Sequence, residues 1–131
     1  MFTFGSKYNL GDEDQYDVNK LFGIGSMMIH RNSDRFGWRY DTLTNKFLIY
    51  AYYYRSGVRY TELLASVVAN HWVSLSISIK KGFTEYAISQ GGSMLNIFRV
   101  GSKRRFFNIL LGPYFGGNRT APKSLELYLK K

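Results

Sequence analysis

The chain has 131 residues, 45% hydrophobic and 18% aromatic, enough for one globular domain with its own core. It carries 18 Lys and Arg against 9 Asp and Glu, a net charge of +9, and no cysteine. That composition excludes a disulfide framework, thiolate metal ligation and an intrinsically disordered chain. No run of roughly 18 apolar residues suggests a membrane span, and no signal peptide is expected at the N-terminus.

The charge is uneven along the chain. Asp12, Glu13, Asp14 and Asp17 face only Lys7 within the first seventeen residues, a local charge of −3, while the remainder carries +12. Residues 1–19 are therefore expected to form an acidic N-terminal arm, suited to docking on a neighbouring subunit or on its own domain. Residues 20–131 are expected to form a single domain. A short strand is expected around Phe2–Phe4.

Beyond the arm, strand-like stretches follow one another. Phe22–His30 and Phe36–Tyr40 come first, separated by the turn-forming run HRNSD. KFLIYAYYY, Lys46–Tyr54, is apolar on both faces and begins after a second turn, DTLTN. Arg55, Ser56 and Gly57 then suggest a bulged three-residue hairpin loop into Val58–Val68. Trp72–Lys80 alternates cleanly, with Val73, Leu75, Ile77 and Ile79 on one face and Ser74, Ser76 and Ser78 on the other. Phe83–Ser89 and Phe106–Leu111 follow, and SLELYLK, Ser124–Lys130, repeats the alternation. Between these last two lies LGPYFGGNRTAP, which holds both prolines and three of the glycines. Pro113 ends a strand, Gly116, Gly117 and Asn118 permit unusual backbone angles, and Pro122 fixes an extended exit. The segment is expected to be a crossing loop with Tyr114 and Phe115 tucked beneath it. Helical periodicity is weak throughout. Eight or nine strands of this kind describe an all-β, two-sheet antiparallel β-sandwich or jelly roll.

The residues RNSDRFGWRYD (Arg31–Asp41), the Tyr-rich strand after them, the strand headed by Trp72 and the phrase GPYFGGNRTAP together carry a resemblance. They resemble concanavalin-like jelly-roll domains of lectin and glucanase type, in particular small proteins of gut bacteria and their tailed phages. The resemblance spans most of the chain from Lys20 onward and implies a fold more than an activity. In the family pattern Ala-Pro is often followed by His-Asp; here Lys123 and Ser124 stand there, so the role of that pair is missing.

Catalytic chemistry finds no support in the residues. A retaining glycosidase needs two carboxylates about 5–5.5 Å apart, and Asp34, Asp41, Glu62, Glu85 and Glu126 never fall two apart on one strand. A polysaccharide lyase of this fold would carry a Gln-x-His strand and an Arg-rich strand, and neither is present. His30 and His71 stand at strand ends. GDEDQYD has calcium-like spacing, but Tyr16, Asp17 and Gly23 occupy positions where an EF-type loop needs an oxygen ligand, a glycine and a glutamate. No catalytic residue, metal or cofactor is therefore expected.

Binding residues are easier to nominate. Tyr50, Tyr52 and Tyr54 share one face of their strand, with Arg59 and Tyr60 on the next, and these types dominate protein interfaces. Trp38 and Trp72 are candidate platforms for stacking on a glycan. Lys103, Arg104 and Arg105 form a basic patch, but the remaining cations are scattered, so specific nucleic-acid binding is not expected. The expected function is a non-enzymatic binding or structural module, a phage virion component of capsid or fibre that contacts other subunits, in a homo-oligomer or larger assembly. Its expected location is the virion, or the producing cell's cytoplasm before assembly. The alternatives are a carbohydrate-binding module and a cryptic polysaccharide lyase.

Overall fold

A computed structural model describes residues 1–26, 28, 30–103, 108–115 and 121. Among these residues eight strands follow in order: β1 Asn19–Gly25, β2 Asn32–Asp41, β3 Lys46–Arg55, β4 Val58–Val67, β5 Ser74–Lys80, β6 Phe83–Gln90, β7 Ser93–Gly101 and β8 Ile109–Leu111. They form two antiparallel sheets, one ordered β4-β3-β2-β1-β8 and the other β5-β6-β7. The protein is all-β, as its alternation predicts, and the two sheets pack as a β-sandwich. The final alternating run Ser124–Lys130 and the loop residues Gly116, Gly117, Asn118 and Pro122 lie outside the described residues.

Hairpin turns set the registers. Arg55 pairs with Val58, so the loop between β3 and β4 holds two residues, not the three expected. Ser56 (φ 51°) and Gly57 (φ 84°) are both left-handed, the combination that matches the twist of the flanking strands.

Three expected boundaries move. β2 begins at Asn32, which turns most of the supposed HRNSD loop into strand. Phe2–Phe4 gives no strand: Phe2 accepts a backbone hydrogen bond from Asn70, and a 3-10 turn spans Phe4–Ser6. β7 is an element that alternation did not reveal. Its register slips by one residue against β6 between Ile88 and Ser89, placing the adjacent apolar pair Met94 and Leu95 at a bulge.

The core lies between the sheets and is mainly aromatic. Phe36, Trp38 and Tyr40 of β2 and Phe47, Ile49 and Ala51 of β3 point inward to meet Tyr86 and Ile88 of β6. Phe36 meets Tyr86 edge-on at 5.2 Å between ring centres, and Tyr53 meets Phe98 at 6.1 Å, both across the sandwich. Residues 1–18 do not reach away from this body. Phe2 stacks on Phe47 at 4.6 Å, Tyr8 meets Trp38 at 5.7 Å, and buried Gln15 donates to the Tyr8 and Tyr40 carbonyls. Each buried ring contributes about 1.5–3 kcal/mol, so the acidic segment is held down by its apolar neighbours.

Candidate functional site

Alternation along β3 sends Phe47, Ile49, Ala51 and Tyr53 into the sandwich and Tyr50, Tyr52 and Tyr54 to the outer face of the five-stranded sheet. Pairing then fixes who stands beside them. Tyr54 lies opposite Arg59, Tyr52 opposite Thr61 and Arg35, and Tyr50 opposite Leu63 and Gly37. Gly37 in turn pairs with Lys20 of β1. The outer face therefore carries Arg59, Arg35, Arg39 and Lys20 among three tyrosines. The sequence nominated Arg59 and the tyrosines; it gave no sign of Arg35, Arg39 or Lys20, because their placement depends on register and on the β1 bulge between Lys20 and Phe22.

Glycine shapes this face. A Cβ on Gly23 would lie 2.2 Å from the Asp34 carbonyl oxygen and 2.7 Å from Cγ of Arg35. The bare backbone of β1 thus lets the Arg35 stem lie flat across it. Lys20 Nζ sits 4.9 Å from the centre of the Tyr52 ring and 5.7 Å from that of Tyr114. Tyr52 is consequently 5% exposed, while Tyr50 and Tyr54 are half-buried. Arg39 donates through Nε to the Tyr50 hydroxyl at 2.9 Å and stacks on Tyr16 at 5.2 Å. Tyr54 meets His30 edge-on.

Electrostatics follow from this crowding. Burial, with Arg35 and Arg59 nearby, lowers the Lys20 ammonium below its usual pKa, and Asp17 opposes the shift. Burial, with the Tyr54 hydroxyl beside it, pushes Tyr52 up to about 12 against the pull of Arg59. A tyrosine whose folded pKa exceeds its unfolded value favours the fold below the unfolded pKa, and that contribution disappears as pH rises through the folded one. Stability should therefore hold to about pH 10, the unfolded tyrosine value, and decline from there toward 12. Spectrophotometric titration of the phenols should show a class ionising above the ordinary range, smaller by one phenol in Tyr52→Phe; normal titration of every tyrosine in the folded protein would refute the assignment.

The other nominated residues scatter. Tyr60 leaves this face: next to Arg59 on the same strand it must point the other way, and it stacks on Tyr53 with ring centres 5.3 Å apart. Trp38 is no stacking platform for a glycan, because its ring is buried among Phe2, Tyr8 and Phe47. Trp72 is 51% exposed in the link between β4 and β5. Tyr114 is exposed, not tucked away, and its backbone bridges to Lys20, whereas Phe115 packs against Tyr8. In the acidic segment Asp12 caps a 3-10 turn by accepting from the Asp14 N–H, Glu13 is exposed, and Asp17 lies near Lys20. Lys103 is exposed; Arg104 and Arg105 lie outside the described residues.

A second polar cluster lies inside the sandwich. Asp34, fully buried on β2, accepts from Arg55 Nη2 at 2.6 Å, from Thr84 Oγ1 at 3.1 Å and from the Tyr86 hydroxyl at 3.2 Å. Arg55 also donates to the carbonyls of Ser33, Tyr54 and Gly101. Desolvation, and then the Asp34 carboxylate, hold the Tyr86 phenol far above its usual pKa. The cluster joins β2 and β3 of one sheet to β6 and β7 of the other. Its donors and acceptors answer one another, which is the signature of a structural clamp.

Family models, curated proteins and solved structures give no match to this chain. The reading of the site rests on its geometry.

Proposed function

We propose that this protein is a non-enzymatic binding module that engages an acidic surface of a partner protein through the outer face of its five-stranded sheet. A phage virion subunit holding its neighbour would use such a face. The observation that carries the reading is the gathering of Lys20, Arg35, Arg39 and Arg59 with Tyr50, Tyr52 and Tyr54 on one side of one sheet. Tyrosine and arginine supply rigid contact area and charge-assisted hydrogen bonds, and positive potential steers an acidic partner into place. Support for the jelly-roll form comes from β8, which returns beside β1 after the excursion through the second sheet, the long connection of a Greek key.

Lysine cross-linking of the native assembly, read by mass spectrometry, tests this proposal. Cross-links to another polypeptide should originate from Lys20 and Lys46, both on the outer face. Cross-links confined to Lys80 and Lys81, at the tip of the other sheet, would overturn it. The exposed Trp72 ring is the feature that favours a carbohydrate-binding reading, and glycan-array binding abolished by Trp72→Ala would put that reading first.

A further inference from the structure

We propose that Lys20, Arg35 and Arg59 form a binding site for a doubly charged oxyanion, either inorganic phosphate or the terminal group of a small phosphomonoester. The site lies at the centre of the outer face and so rests on the reading that this face binds. Three observations carry it.

The first is convergence. Arg59, Arg35 and Lys20 occupy three successive outward-facing rows of the sheet on β4, β2 and β1, with Tyr52 of β3 in the angle between them. Lys20 feels both arginines as well as Asp17. Three cations against one acid leave a local charge of +2, and such crowding is unfavourable unless a counter-charge relieves it. A dianion balances that charge; a single carboxylate does not.

The second is preorganisation. The Arg35 stem is fixed over Gly23, and its Nε is buried with no hydrogen-bond partner among the described residues. Such a donor has already lost its water, so an oxyanion that reached it would gain a charge-assisted hydrogen bond without further desolvation of the arginine. The third is the hydroxyl of Tyr52, which accepts a hydrogen bond from Arg59 and so holds that guanidinium beside the site.

Heteronuclear NMR titration of the full chain with inorganic phosphate, phenyl phosphate and acetate at matched ionic strength tests the site. Both phosphates should bind saturably, with shifts centred on Lys20, Arg35 and Arg59. Phenyl phosphate binding should weaken as pH falls through about 6, where the phosphomonoester dianion takes up a proton and becomes a monoanion. Tighter binding of phenyl phosphate would identify an ester as the ligand, and tighter binding of phosphate the free ion. Arg35→Gln keeps the stem over Gly23 and should weaken binding by roughly tenfold or more. Acetate binding as well as phosphate, or wild-type shifts scattered over the surface, would overturn the proposal even if the variant failed to fold. Cross-links from Lys20 and Lys46 without phosphate binding would sink this site alone; phosphate binding with cross-links only at Lys80 and Lys81 would sink the partner reading alone.

Discussion

Replacing Asp34 by alanine should destabilise the protein by about 3–5 kcal/mol, the range for breaking a buried ion pair by removing one partner. The carboxylate is fully buried, and Arg55, Thr84 and Tyr86 all donate to it. Without it the Arg55 guanidinium keeps its carbonyl contacts but loses its counter-charge, and two hydroxyls lose an acceptor in a site that water does not reach. At roughly 3–5 °C per kcal/mol for a domain of this size, thermal unfolding monitored by circular dichroism should move down by about 10–20 °C. Combining it with Arg55→Ala should be clearly non-additive, with a coupling of about 0.5–3 kcal/mol. A loss below about 1 kcal/mol, or simple additivity, would show that the two sheets are joined by apolar packing alone.

Trp38→Ala should have an effect of similar size for a different reason. Its ring touches Phe2, Tyr8 and Phe47, so truncation removes buried area and leaves a cavity that also loosens residues 1–8. Such deletions typically cost about 3–5 kcal/mol. Trp72→Ala, at an exposed link, should stay within about 0.5 kcal/mol of the parent. Thermal unfolding of the two variants side by side separates a core tryptophan from a surface one. Equal losses would contradict the burial assigned to them.

The fold was legible where side chains alternate without interruption or where β-forming residues crowd between turns. SLSISIK declares its strand because period two leaves no other regular structure, and KFLIYAYYY declares its own by its density of aromatic and β-forming residues between turns. Asp34 was misread as turn because Asn32, Ser33 and Asp34 each favour turns locally, whereas the partners that hold Asp34 in a strand, Thr84 and Tyr86, lie fifty or more residues away. β7 went unseen because its bulge sets Met94 and Leu95 side by side and its inward face carries Asn96, which donates to the Leu64 carbonyl. The separation of Tyr60 from Arg59 was available from alternation alone. The gathering of Lys20, Arg35 and Arg59 was not, since it requires the pairing of four strands and a bulge at Leu21. Trp38 shows a further limit: a tryptophan has the same composition signal whether it fills a core or faces a sugar.

The position of β8 also matters for how the chain is made. Among the described residues every other strand pair joins sequence neighbours, but Gly23 of β1 finds its second partner at Leu111. As the chain leaves the ribosome, β1 can pair with β2 at once, yet its far side stays open through the synthesis of six more strands. Two of its three residues there, Gly23 and Gly25, are glycines that offer no side chain to hinder a foreign strand. That interval is when the nascent protein is most open to mispairing, and it closes with the arrival of Ile109–Leu111.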